Sequence, residues 1–444
     1  PIASLTVLIR GCFRMRRVAF CLLAALLSSC GGGGGDGGSA PPIQVTPPAP
    51  EPPVTPPAPP PPATLASISY VHDVGAQTGG PVLAGDGNLY FPSNLSRNSC
   101  RTPYDMGCGS ILRRTPAGDV SIVYDFGQNA GDGYLPFGLI IGHDGALYGM
   151  TQGGPFHGGT IFRLGLDGQY KVLHRFGETE RGVYDPSALV AARDGNFYGV
   201  SYHGGTNDCP QIPRNAPSCG TAFRMTAQGE VTIISNFGAG VGDGITPNSL
   251  MQASDGNLYG TTGNGGSADN CGTLFRLSPA GTRTNLKIFC QSREDASAPQ
   301  YAPIQASDGA LYGVTASGGG GNCGWQYGCG TVYRMTLAGD FSVLYAFAPE
   351  NRQDGDGPNG RIQGRDGLLY GTTTSGGAHG SSSAGSIYRM TLAGKKTILH
   401  SFGPIGNNNP SRPMGMIQLA DGSFMGVNDW GRNGYGTIFS MTLK

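Results

Sequence analysis

Seven histidines and a set of aromatic residues in long loops are the groups through which this chain could do chemistry. The histidines do not converge. His72, His174 and His400 each lie near the end of an apolar run, and Tyr124 and Tyr345 fill the same place in other runs. A place shared by His and Tyr reads as packing. His143 falls in a tight turn. His157 and His203 lie in Gly-rich loops of adjacent repeats and are the one pair that could act together. No carboxylate stands near either at metal-ligand spacing. The chain has no Gly-x-Ser-x-Gly elbow, no His-Glu-x-x-His and no phosphate-cradling loop, so no cofactor or metal is implied. Asp354-Gly355-Asp356-Gly357 begins like a calcium loop but lacks its third acid and closing Glu, and reads as a solvated turn.

The aromatics offer more. Trp325, Tyr327, Trp430, Tyr435, Tyr134, Phe137, Tyr184 and Tyr301 all fall in long connecting stretches. With His157 and His203 they are the candidate ligand contacts. Flat rings on a loop face suit sugar rings or a protein surface. The plainer alternative for each is packing within its own loop.

These loops belong to a unit repeated seven times. Its clearest copy is residues 308–347, DGALYGVTASGGGGNCGWQYGCGTVYRMTLAGDFSVLYAF. The Asp of its Asp-Gly pair recurs at 86, 144, 194, 255, 308, 366 and 421. Spacings of 50 to 61 residues suit one small sheet per repeat, as in a propeller blade, better than one coil of a solenoid. Apolar residues alternate over short runs, which is strand periodicity. Each unit predicts four strands: an apolar run such as 249–253, an Asp-Gly hairpin, a Leu-Tyr strand, a Gly-Thr-x-Phe/Tyr-Arg strand, and a run ending in Phe. The seventh copy lacks its fourth strand. A spare one, residues 67–74, precedes the first copy and matches the pattern of 121–126. The expectation is an all-β, seven-bladed β-propeller of four-stranded antiparallel blades, with the N-terminal strand completing the last blade and hiding both sheet edges.

Strand order then assigns faces. Asp-Gly turns share one face with the tight third-to-fourth-strand turns, and the long loops share the other, where function is usually carried. Arg113, Arg163, Arg224, Arg276, Arg334 and Arg389 repeat on the third strand. A ring of Arg could bind anions, but pairing with carbonyls or with the Asp of an Asp-Gly turn accounts for a repeated position.

The N-terminus predicts export. From Met15, Arg16-Arg17 lead into a short apolar run, Val18 to Leu27, and then Leu27-Ser28-Ser29-Cys30. That run is too short to span a bilayer and reads as a signal peptide at 1–29, with residues 1–14 upstream of the true start. The segment resembles a bacterial lipoprotein signal, which implies acylation of Cys30. By resemblance to proteobacterial lipoprotein sorting, Gly31 after it implies the outer membrane, facing periplasm or surface. Residues 30–63 form a Gly- then Pro-rich linker, whose roughly 20 Pro-rich residues at about 3 Å each would reach some 60 Å. Residues 64–444 form the propeller.

Of eleven cysteines, Cys12 and Cys21 fall in the signal and Cys30 takes the lipid. Cys108, Cys219, Cys271 and Cys329 share one place just before the third strand. Three have an upstream neighbour, and antiparallel pairing sets Cys290 beside the fourth. The expected bridges are Cys100–Cys108, Cys209–Cys219, Cys323–Cys329 and Cys271–Cys290, fitting an oxidising compartment. Metal ligation is the weaker alternative, because no Cys-x-x-Cys occurs. Loss of the signal removes four arginines and no acids, leaving 25 basic and 29 acidic residues, which disfavours nucleic-acid binding.

The repeated unit, carried by Leu258-Tyr259-Gly260-Thr261-Thr262, Gly265-Gly266 and Gly272-Thr273-Leu274-Phe275-Arg276, resembles the GloVer tandem repeat of bacterial choice-of-anchor proteins. The resemblance covers about 86–444, with the first copy most divergent because Phe91 replaces a Gly. It implies an exported, anchored repeat protein and supplies no catalytic residues. The expected function is a non-enzymatic binding or scaffolding module that uses the long-loop face toward a glycan or an envelope or extracellular protein, touching membrane only through its lipid. The alternative is an extracellular polysaccharide-active lyase or hydrolase.

Overall fold

The computed structural model describes residues 64–73, 79–96, 107–129, 131–153, 158–177, 182–207, 209, 219–292, 294–320, 328–347, 353–378, 384–403, 410–430 and 436–444. Cys30, the signal and the linker lie outside them. Among the described residues every regular element is a strand.

Seven four-stranded antiparallel sheets form the blades of a β-propeller. The fourth blade is typical: Gly244–Gln252, Leu258–Gly265, Thr273–Leu277 and Arg283–Ile288 in sequential order. The second and third strands are buried on both faces because each blade is sandwiched by two neighbours. The outermost strand is only half-buried. Seven apolar clusters each join two adjacent blades. One of them packs Leu89, Phe91 and Leu112 of the first blade on Met425, Val427 and Ile438 of the seventh, which closes the ring.

The seventh blade is completed as the repeat count predicted. Leu65–Asp73 pairs antiparallel with Thr437–Leu443. The outer strands of the other blades share a bulge, such as that opposite Ala222/Phe223, and the N-terminal strand has one between Tyr70 and His72.

Repeated side chains fix each blade. In six blades the Asp of the Asp-Gly turn accepts a hydrogen bond from the Tyr hydroxyl four residues on, at 2.7 to 3.3 Å. The turn itself is not the two-residue hairpin that Asp-Gly suggests. In the fourth blade Gly256 N–H donates to Ala253 O, and of this pair only the glycine has positive φ, because Asp255 instead caps the Asn257 N–H. Arg163 and Arg334 reach the turn aspartates Asp144 and Asp308, as the repeated Arg suggested.

Neighbouring blades are joined by a latch that the sequence hid. The first strand of the fourth blade starts at Gly244, five residues before the apolar run that announces it. Thr246 there has φ +53° and precedes Pro247; Leu135, Asp185, Ala298 and Arg412 hold the same conformation before their prolines. This left-handed backbone breaks the alternation and is disfavoured before proline. It persists because each of these N–H groups donates to the preceding blade, Thr246 to Cys219 O at 2.9 Å and Leu135 to Cys108 O at 2.8 Å. The Gly of each Gly-Thr pair completes the latch. A Cβ on Gly220 would stand 2.5 Å from Pro247 of the next blade.

Candidate functional site

The first strands of the second to seventh blades, with Gly79 ahead of the first blade's, surround one central cavity of about 1190 Å³. Its walls carry Phe137, Asp185, Tyr202, Asn248, Tyr301 and Arg361. Asn248 is partly structural, accepting from Thr261 and donating to Pro299 O of the next blade. Gln152 and Gln300 also line the cavity, are exposed, and make no side-chain hydrogen bond among the described residues. Tyr202 keeps 41% of its surface open. Burial within the ring raises the phenol pKa of both Tyr202 and Tyr301. Both therefore stay neutral donors at physiological pH.

Charge in the cavity is sparse and asymmetric. Asp185 pairs with His203 at 2.9 Å on the third blade. Arg361 stands on the sixth blade, and its Nε donates to Tyr312 O at 3.2 Å. None of the six ion pairs among the described residues uses it. Burial pulls its pKa down from the usual guanidinium value. Further out, burial raises the carboxyl of Asp429 while Arg412 opposes the shift.

Of the aromatics singled out by sequence, Phe137 and Tyr301 reach the cavity wall. Tyr134 instead stacks within its own blade, where a side chain on Gly153 would collide with its ring. Tyr184 lies in the strand Val183–Ala191, paired with His203 and away from the cavity lining. Trp430 ends the strand Phe424–Trp430 opposite Ser411, and its side chain is not described. Trp325, Tyr327, Tyr435 and His157 lie outside the described residues. His203 has Asp185 as its partner rather than a second histidine among the described residues. His400 is packed on Phe402, and burial lowers its pKa, in keeping with a structural role. The Asp354–Asp356 stretch is structural too: Asp354 binds Lys396 and the Tyr345 hydroxyl.

Disulfides Cys209–Cys219 and Cys271–Cys290 form as paired from the sequence, with Cα separations of 5.4 and 5.9 Å. Cys108 and Cys329 are also disulfide-bonded, while Cys100 and Cys323 lie outside the described residues. Among the described residues no three His, Cys, Asp or Glu stand together as a metal site.

Sequence reasoning missed Arg361, Tyr202 and Asp185. It searched the loops, whereas the cavity is lined by the kinked first strands and the ends of the second strands. One signal was available. Three residues after the proline that ends the latch stand Leu139, Leu189, Leu250 and Met416, all buried, and Ala302 in the fifth blade, whereas the sixth has Arg361.

A family model described as the Gloeobacter/Verrucomicrobia repeat matches residues 61–218 and 213–439. No curated protein matches the chain. Among solved structures, a fungal alcohol oxidase of the AA5 family in complex with copper aligns with TM-score 0.53 at 13% identity, covering 86% of this chain and 76% of that one. The extracellular domain of a hybrid two-component system from B. thetaiotaomicron aligns with TM-score 0.51 at 11% identity, over 84% of this chain and 40% of that one. At these identities the likeness is one of fold.

Proposed function

Because this chain belongs to the Gloeobacter/Verrucomicrobia repeat family and builds its repeats into one closed ring, we propose that it is an exported, lipid-anchored binding module whose ligand is a glycan held in the central cavity. The observation that carries the reading is the cavity wall. Seven blades converge on it with the rings of Phe137, Tyr202 and Tyr301 and the unengaged amides of Gln152 and Gln300. Rings that stack on sugar faces, interleaved with amides that read hydroxyls, are the makings of a carbohydrate site. The disulfides support export to an oxidising compartment. Anchoring through Cys30 is checked by incorporation of labelled palmitate in the producing cell, which Cys30→Ser should abolish.

The binding test is an array of glycans and cell-wall fragments probed with the full chain in mild detergent, disulfides intact. Selective binding that is lost in a Tyr202→Ala, Tyr301→Ala double variant supports the cavity site. Retention of binding in that variant would move the site elsewhere. Absence of glycan binding would redirect the search to envelope or extracellular protein partners through crosslinking. The alternative of a polysaccharide-active lyase or hydrolase draws on one feature, the Asp185–His203 pair beside the cavity, since a carboxylate-oriented imidazole is a candidate base. Breakdown of the bound glycan, abolished by His203→Gln, would establish that reading instead.

A further inference from the structure

The repeat makes Arg361 conspicuous. Leu189, Leu250, Arg361 and Met416 occupy one register, each opposite the second-strand glycine: Gly199, Gly260, Gly371 and Gly426. The three apolar members pack between blades at 3 to 7% exposure. The third-strand residue beyond that glycine is Phe162, Phe223, Phe275 or Phe439 in four blades. In the fifth and sixth it is Tyr333 and Tyr388. The chain has therefore replaced an inter-blade Leu by Arg and the two nearby Phe by Tyr, all in one sector of the ring.

This cluster is costly as structure. Arg361 is half-buried, its guanidinium has no carboxylate partner among the described residues, and a single backbone carbonyl, Tyr312 O, takes its Nε. The titratable side chains nearest Arg361 are the neutral phenols of Tyr333, Tyr388 and Tyr301, none of which supplies a counter-charge. The Tyr333 hydroxyl is fully buried and has no hydrogen-bond partner. Arg361 itself lines the cavity. The cavity's carboxylate, Asp185, is already paired with His203 on the third blade. A local rule broken at a stability cost, facing an open cavity, marks a functional position.

We propose that Arg361 is the anion-recognition residue of the cavity and that the glycan it takes is acidic, with a uronate carboxylate seated on the guanidinium beside Tyr301. The proposal rests on the glycan-binding reading above and adds its charge class. A guanidinium fork matches a planar carboxylate with two parallel hydrogen bonds, whereas a neutral sugar offers it no charge.

The test is calorimetric titration of the full chain with oligogalacturonate, its methyl ester of equal length, and free acetate. Oligogalacturonate should bind, with the ester weaker by roughly 10- to 100-fold, the range of one charged hydrogen-bonded contact. Arg361→Leu restores the residue found in three other blades. It should erase the acid preference while leaving the melting temperature equal or higher. Arg361→Lys keeps the charge without the fork and should fall between. Equal binding of acid and ester would overturn this inference while leaving a neutral-glycan site in place. Displacement by acetate at equal concentration would reduce it to a generic carboxylate site and overturn the glycan part. A steep loss of melting temperature in Arg361→Leu with the acid preference intact would make Arg361 structural. Binding of neither form, with no glycan bound on the array, would overturn both readings.

Discussion

At the scale of single residues, the turn aspartates show how repeated side chains convert into stability. Asp308 accepts from Ala310 N–H, the Tyr312 hydroxyl and Arg334. Burial pushes its carboxyl up, but these donors outweigh burial and hold it below the usual aspartate value of 3.8. Asp86, Asp144, Asp194 and Asp255 are lowered by the same balance. A depressed folded-state value means that the carboxylates stabilise the ring above about pH 4 and that this contribution is lost as pH falls through their lower native values. The melting temperature should fall slightly below about pH 6.5, where unfolding lets buried His400 take up a proton, and decline steeply below about 4 as the aspartates protonate. A flat curve down to pH 3 would contradict the role assigned to these bonds. Within one turn, Asp308→Ala should lower the melting temperature more than Arg334→Ala. The first removes the acceptor shared by the Ala310 N–H, the Tyr312 hydroxyl and Arg334, whereas the second breaks an exposed ion pair worth about 1 kcal/mol or less.

At the scale of elements, the latch and the turn use glycine for different reasons. Gly256 has φ +82° and open space around it, so Gly256→Ala pays only for backbone strain, about 1 kcal/mol. Gly220 has φ +98°, and its added methyl would also meet Pro247 and Ser201 O at 2.5 Å. Gly220→Ala should therefore melt well below Gly256→Ala, and equal melting of the two would remove the steric part of the latch. The disulfides act on the same joint, since Cys219 and Cys271 supply the carbonyls that the next blade's latch residues grip. The Cys271–Cys290 bridge spans 19 residues, and chain entropy assigns about 3 kcal/mol to a loop of that order. A Cys271→Ser, Cys290→Ser double variant should melt lower and be cut faster by protease around residues 290–296. Unchanged melting would mean that the latch holds without its bridge.

At the scale of the molecule, strands that obey a period of two were legible, and the joints between blades were not. Leu258-Tyr259 and Thr273–Leu277 announced their blades because both faces are apolar and glycine marks their ends. The residues from Gly244 to Thr246 read as loop because a left-handed residue before proline destroys the alternation. The cavity escaped for the same reason, since its wall is assembled from such segments some 50 residues apart, although Phe137 and Tyr301 stand out as loop aromatics and Arg361 departs from its repeat equivalents. Ring closure was legible because it depends on counting: a missing last strand and a spare first one. That count makes the sharpest prediction for the whole ring. Deleting Leu65–Asp73 would leave Thr437–Leu443 as an unpaired edge and remove Ile68 from its packing on the last blade's core. Open edges recruit other chains. The truncated protein should self-associate beyond the intact chain's mass in size-exclusion chromatography with light scattering, and a synthetic peptide spanning 64–73 added during refolding should restore that mass. A truncated chain that keeps the intact chain's mass and melting temperature would show that the ring is held by its blade-to-blade contacts alone.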